Sequence, residues 1–451
     1  MQQKGVSMSI SSSLNAGVAA LAANASRLGT ISDNIANSST YGYKRVETDF
    51  NSVITARAGG FNSASQYSAG GVRATTTRLI DERGSIVGTE HATDLAVRNR
   101  GMLPVANITE VNAGQAVPQM LLTSTGSFRT NEDGYLTTAS GLVLLGFQAL
   151  PDGTIPTKPR DTTAGLEPVR VNRAELQSEP TTEVTLGITL PASATEPGST
   201  AVTADTTMST TYYDNVGRSE TLTVEFTPTI PAATAVASSN EWTMTITDSA
   251  DGGSVIGTYT VTFDDSRAAN GALAGVTVAG AGGAYDPVTG AVTVNVAGGP
   301  VEINLGLVGE KNGLSQVGED FLSTGVVRDG APAGNIVSVT VDDNGFVRAK
   351  YNTGLENIVY QVPLVDLPNL NGLEPLDRQT YLPTLESGPF FLWDAGAGPT
   401  GAIVSNALEE SATDVAGELT DMIQTQRAYS SNAKVIQTVD EMLQETTNIK
   451  R

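Results

Sequence analysis

Cysteine is absent from the 451 residues. The chain therefore forms no disulfide, has no thiol nucleophile and offers no thiolate to a metal. A chain without thiols folds alike in oxidising and reducing compartments, so this absence leaves the compartment open. His91 is the only histidine, in the polar run Thr89-Glu90-His91-Ala92-Thr93-Asp94. Histidine-cluster metal chemistry has too few ligands, and His91 reads as a surface side chain rather than a base. Apolar residues make up 39% and aromatics 5%, short of the usual ~45–50% apolar content. No single core is large, and the length suggests roughly three domains. No window approaches ~18 consecutive apolar residues, which excludes a transmembrane helix. Positive charge is scarce: 26 Lys and Arg stand against 48 Asp and Glu, for a net −22. Such a surface repels phosphate backbones and anionic lipid heads, so neither nucleic acid nor a membrane is an expected partner.

Catalytic motifs are also missing. No Gly-rich phosphate loop opens a helix, and no G-x-S-x-G elbow occurs. Carboxylates are plentiful, but their spacing does not favour a two-carboxylate hydrolase. Asp342-Asp343-Asn344-Gly345 faintly resembles a calcium loop yet lacks the alternating ligands and the late glutamate. Its flanks, Ser338-Val339-Thr340-Val341 and Phe346-Val347-Arg348-Ala349, read as strands, so a hairpin turn is expected. No catalytic residue, cofactor or metal is expected.

What is present is an uneven chain: helical ends around a β-rich middle. Leu14, Val18, Leu21, Ala25, Leu28, Ser32 and Ile35 follow a 4-3 spacing over three heptads. A helix from Leu14 to Ala36 is about 35 Å long, and Asn37-Ser38-Ser39-Thr40-Tyr41-Gly42 stops it. Gly17 and Gly29 interrupt it at roughly 1 kcal/mol each. At the other end Leu408, Val415, Leu419, Met422, Tyr429, Ala433, Ile436 and Leu443 share one register, with Ser411, Gln426 and Asp440 as polar members. Val435, Val439 and Met442 widen the stripe. A helix from Leu408 to Ile449 would reach about 63 Å. A β-rich chain offers such stripes no other partner, so the ends are expected to pair. Either a closed hairpin caps a monomer, or the pair keeps apolar flanks for other copies. Isolated, such helices are marginal in water and order on assembly.

The middle is rich in Thr, Val and Gly. Strand runs are Thr181–Leu190, Glu220–Pro228, Trp242–Thr247, Gly257–Phe263, Ala291–Val296 and Val301–Leu305. Ala268–Gly299 has little bulk and reads as a loose loop or thin strands. Residues 161–327 hold 20 acidic and 5 basic side chains, the signature of a solvated outer domain. Lys4 followed by Ala16–Ala25 faintly suggests a signal peptide. The same residues form the heptad seam, which a cleaved peptide does not need. Met8 serves as well as Met1 as a start.

The run Leu21-Ala22-Ala23-Asn24-Ala25-Ser26-Arg27-Leu28 through Ser32-Asp33-Asn34-Ile35-Ala36-Asn37-Ser38-Ser39-Thr40-Tyr41-Gly42-Tyr43-Lys44-Arg45 resembles the N-terminal signature of the bacterial flagellar rod and hook protein family. Glu418-Leu419-Thr420-Asp421-Met422-Ile423 and Gln426-Arg427-Ala428-Tyr429-Ser430-Ser431-Asn432-Ala433-Lys434-Val435-Ile436, with Asp440-Glu441-Met442-Leu443, resemble its C-terminal signature. Asp94-Leu95-Ala96-Val97 and Gly126-Ser127-Phe128-Arg129-Thr130 resemble its first β-segments. Tyr213-Asp214-Asn215-Val216-Gly217 and Tyr360-Gln361-Val362-Pro363-Leu364 resemble the hook branch rather than the rod branch. Gly101-Met102-Leu103-Pro104 and Ser411-Ala412-Thr413-Asp414 depart from the family pattern.

The resemblance implies a mainly β fold with terminal α-helices paired as a coiled coil, and stacked β-rich domains, the outer inserted in the inner. It implies a terminal assembly domain of 1–40 with 408–451 and connecting segments of 41–75 with 386–407. An inner β-domain of 76–160 with 328–385 and an acidic outer domain of 161–327 complete it. It implies a non-enzymatic structural subunit of a curved tubular joint in the flagellum, outside the cell, exported by the type III apparatus without a cleaved signal. Its partners would be other copies, the distal rod, the hook cap and the hook–filament junction proteins. Assembly would rest on Leu14, Val18, Leu21, Leu28, Ile31 and Ile35 of the first helix. On the last it would rest on Leu419, Met422, Ile423, Gln426, Arg427, Tyr429, Asn432, Ile436, Met442 and Leu443. Asn34, Asn37, Thr40, Tyr41, Gly42 and Tyr43 would form the family's motif loop. A distal rod subunit, a non-flagellar surface protein and a secreted carbohydrate-acting enzyme remain alternatives.

Overall fold

The computed structural model describes residues 4–54, 69–113, 118–172, 176–200 and 206–449. The fold is mainly β, with one long helix near each end. The N-terminal helix spans Lys4–Ala36, 33 residues and about 50 Å. It starts ahead of the expected Leu14, where a serine-rich stretch hides the apolar spacing. It stops where expected, because Asn37 turns back on its last turn: Nδ2 donates to the Asp33 carbonyl at 2.9 Å.

The C-terminal helix corrects the expectation. It spans Val415–Asn448, about 51 Å, not Leu408–Ile449. Asp414 is its N-cap, accepting from the Ala416 N–H at 3.0 Å. Leu408 lies instead in the strand Ala407–Glu409, opposite Val87 of Ile86–Gly88. The sevenfold spacing that joins Leu408 to Val415 is coincidental.

The described residues within Met1–Asn172, Ser338–Lys350 and Glu356–Arg451 form one compact unit. Besides the helices it holds a two-stranded ribbon, Val46–Ile54 with Ala69–Arg78. Most of its remaining strands belong to a 13-stranded sheet around Leu103–Asn107 and Leu142–Gln148. Leu142–Leu145 and Phe147 are buried, as a continuous apolar run requires in a strand covered on both faces. Met102, from the segment that departs from the family pattern, is fully buried and bridges Val365.

The described residues within Arg173–Val337 and Tyr351–Leu355 form the second unit. Its 11-stranded sheet starts as an antiparallel meander, Thr207–Tyr213, Ser219–Pro228, Glu241–Asp248, Ser254–Asp264 and Ala272–Val278. Period-two patterning sets the core: Leu222, Val224 and Phe226 face inward with Trp242, Met244 and Ile246. Ala268–Gly299 resolves into the strands Ala272–Val278, Tyr285–Asp286 and Ala291–Val296. The expected hairpin joins Ile336–Val341 to Phe346–Tyr351. Only Gly345 adopts a positive φ there, +83°, while Asp342 Oδ1 accepts from the N–H groups of Asn344 and Phe346. The carboxylate is used inside the turn, as a turn-closing aspartate rather than a cation ligand.

Candidate assembly site

The two long helices pack antiparallel. Gly17 lies against Ile436, Arg27 reaches Asp421 at 3.5 Å, and Asn34 bonds Glu418. A Cβ on Gly17 would stand 3.1 Å from Ile436 Cγ1. The first glycine is therefore a close-approach position. Gly29 has nothing within 4 Å of its would-be Cβ. The ribbon packs on the N-terminal helix through Thr30 and Thr48, whose hydroxyls lie 2.9 Å apart. Gly71, at φ +83°, comes so near Ala19 that a Cβ would sit 2.8 Å from it.

The buried lines are not the expected ones. On the C-terminal helix Glu418, Thr425 and Val439 are buried, with Asn432 half-buried between them. That is a strict heptad, one residue upstream of the apolar Leu419 row. Met422 and Ile436 are half-buried, while Gln426 and Arg427 are exposed. Leu419, Ile423 and Tyr429 are 48%, 52% and 40% exposed, and Met442 and Leu443 are exposed too. On the N-terminal helix Ala23, Asn24, Ile31 and Asn34 are buried. Leu14, Leu21, Leu28 and Ile35 are half-buried and Val18 is exposed. The inner seam is thus lined by small and polar side chains together with Ile31 and Val439, and most of the larger apolar ones border it. Covering each such half-exposed side chain contributes roughly half of the ~1.5–3 kcal/mol of full burial.

At the base of the pair lies a buried polar knot that the periodicity did not reveal. Asn34 uses its whole amide. Nδ2 donates to Glu418 Oε1 at 2.9 Å and to the Val46 carbonyl at 2.8 Å. Oδ1 accepts from the Val46 N–H at 2.9 Å and from the Tyr43 hydroxyl at 3.1 Å. That hydroxyl also lies 3.0 Å from Asp33 Oδ2. Burial beside Asp33 pushes the Tyr43 phenol well above its ordinary range. Burial likewise raises the Glu418 carboxyl, against the bond from Asn34 and the nearby Arg45.

Lys44 is fully buried. Its Nζ donates to Glu409 Oε1 at 2.6 Å and to the Glu82 carbonyl at 2.7 Å. Desolvation brings its pKa down from 10.5 to about 8, against the pull of Glu409. Glu409 also accepts from the Gly84 N–H at 2.8 Å and faces Arg83 at 3.7 Å. Of the remaining motif-loop residues, Gly42 sits at φ +71° and donates to the Glu409 carbonyl at 2.8 Å. A Cβ there would stand 2.8 Å from Thr125 Cγ2, so the loop demands glycine twice over. Thr40 bonds Asn37, and Tyr41 is exposed. An asparagine three residues before a helix stop was the one sequence signal of the knot.

Nothing in this arrangement points to chemistry. His91 is exposed. Among the described residues no group of three or more His, Cys, Asp or Glu side chains is placed to hold a metal. No described helix is long and apolar enough to cross a membrane. A cleft of about 460 Å³ is lined by Asp81, Arg83, Arg100 and Leu370, among others. Its guanidinium groups are already engaged, Arg83 on the Gly101 carbonyl and Arg100 on Asp366.

Two segments tied by the knot match protein families. The flagella basal body rod protein family matches residues 14–44, and the flagellar basal body rod FlgEFG protein C-terminal family matches 404–449. The flagellar basal body protein FlaE D2 domain matches 175–331. Together they define the class, a structural protein of the flagellar axis. Among curated proteins the chain is 32% identical to the flagellar hook protein FlgE of Brucella suis, over 98% of this chain and 100% of that one. It is 31% identical to the FlgE of Rhizobium meliloti, with the same coverages. The FlgE of Escherichia coli is 26% identical over 96% of this chain and 98% of that one. The chain belongs to the flagellar hook protein family and is a structural subunit of the hook.

Proposed function

We propose that the paired terminal helices form a coiled coil that polymerises the subunit into the curved tube of the hook, a joint that bends while it transmits torque from rod to filament. The observation that carries this reading is the row of exposed apolar residues beside the helix seam, Leu419, Ile423 and Tyr429. Surface of this kind lowers free energy only when another molecule covers it. A second copy meeting it with a different face gives a contact that propagates without closing, as a helical polymer requires. The helix pair would line the tube and the sheet of the first unit the middle layer. The second unit, carrying most of the negative charge, would form the outside as an inserted domain. Weak polar contacts there would let subunits slide as the tube bends. Export as an unfolded chain, and contacts with the distal rod, the cap and the junction proteins, follow from the same reading.

Electron microscopy of the purified chain after salting out tests it. Curved tubes are the expected product for the full chain, and none for a chain lacking Val415–Arg451 that keeps its β-rich circular dichroism. Tubes from the truncated chain would refute the role of the helices.

A further inference from the structure

Four Asn-Gly pairs occur in the sequence, at Asn270-Gly271, Asn312-Gly313, Asn344-Gly345 and Asn371-Gly372. In such a pair the glycine nitrogen approaches the preceding side-chain amide without hindrance from a Cβ. Ring closure needs a glycine N–H that is not held and an asparagine side chain free to swing over it.

Three of the pairs are held. The Gly271 N–H donates to the Asp264 carbonyl at 2.9 Å, and the Gly345 N–H to the Asp342 carbonyl at 2.9 Å. Gly372 N–H donates to the Asn369 carbonyl at 3.3 Å. The Asn371 amide oxygen is pinned besides, accepting from the Ile80 N–H at 2.8 Å and the Asp81 N–H at 3.2 Å. Asn312 differs. It is exposed between exposed Lys311 and half-buried Gly313. Among the described residues neither its side chain nor the Gly313 N–H has a hydrogen-bond partner.

We infer that Asn312-Gly313 is a site of spontaneous deamidation in the folded protein. The Gly313 nitrogen bonds to Asn312 Cγ, the Cγ–Nδ2 bond breaks, and the amide nitrogen leaves as ammonia with the proton from Gly313. Water then opens the resulting succinimide at either carbonyl, giving aspartate or isoaspartate. Both products add one negative charge to an already acidic unit. Isoaspartate also adds a methylene to the backbone two residues before Leu314. Leu314 is 1% exposed and pairs with Ile188 in a parallel ladder. The lengthened backbone shifts that buried side chain out of register.

The test is incubation of the full chain in mildly alkaline buffer, followed by peptic digestion at low pH and mass spectrometry of the four peptides. Conversion at Asn312 is expected to run at least about tenfold faster than at Asn270, Asn344 or Asn371. The Asn312→Gln variant should lose that signal alone. Equal or faster conversion at any of the other three overturns the inference. So does an intact Asn312 under conditions where a free peptide of the same local sequence converts.

Discussion

The side-chain amide of Asn34 meets the carboxylate of Glu418 at 2.9 Å, joining residues 384 positions apart in the chain. One residue lies near the end of the first helix and the other in the first turn of the last. A carboxylate is favoured at a helix N-terminus by the backbone dipole. The amide then needs only a fixed backbone edge, which Val46 supplies at both its N–H and its carbonyl.

Replacing Asn34 by Ala should therefore cost far more than one hydrogen bond. It takes the amide from the buried Glu418 carboxylate, leaving only Arg45 at 4.0 Å, and strands the Val46 backbone groups, each worth about 1–3 kcal/mol when left unpaired. A loss of roughly 2–4 kcal/mol is expected in denaturant unfolding followed by circular dichroism, and less than half of that for Asn37→Ala on the exposed side of the same turn.

Lys44 and Glu409 make a second tie between the ends. Lys44→Met alone should cost about 3–5 kcal/mol, because it takes the hydrogen-bonded cation from the buried Glu409 carboxylate and leaves only Arg83, at 3.7 Å. The double change Lys44→Met with Glu409→Leu should recover only part of that, because the Gly84 N–H and Arg83 then lose the carboxylate they share. The pH dependence has a definite sign. With its pKa lowered to about 8 from 10.5, Lys44 binds fewer protons in the folded chain than in the unfolded one between those values. Stability of the wild type relative to Lys44→Met should thus rise as pH increases through that window. Parallel melting curves across it would show no such slope if the folded lysine kept its ordinary affinity for protons.

The two glycines of the first helix should respond oppositely. Gly17→Val drives its side chain into Ile436 and should destabilise the helix pair by about 1–3 kcal/mol. Gly29→Ala meets no atom within 4 Å and should stabilise by up to about 1 kcal/mol. Thermal melts of the two variants check both signs.

Leu419→Asp should separate folding from assembly. Leu419 is 48% exposed, so its loss should move subunit stability by no more than about 0.5 kcal/mol. Polymerisation followed by light scattering should nevertheless fail. Normal tubes from this variant would count against the exposed row as an interface.

Much of the fold was legible in the chain. Alternation of apolar and polar residues placed Glu220–Pro228 and Trp242–Thr247 within the strands Ser219–Pro228 and Glu241–Asp248. The helical ends were legible for the same reason, though Leu408 was drawn into a helix by a spacing that Asp414 interrupts as a cap. The helix seam was not legible. Apolar spacing names the residues that need cover, and here Leu419 and its neighbours are left half outside while Glu418 and Thr425 go in. The polar knot was missed because no local pattern joins Lys44 to Glu409.

The order of apolar and polar residues, together with the breakers between them, fixed which segments are helices and strands. Those preferences act over a few neighbouring residues and survive without knowledge of the rest of the chain. Which helix face turns inward was decided only in three dimensions. Asn34 and Lys44 had first to be brought to Glu418 and Glu409, and burying a polar group is tolerable only once its distant partner is in place.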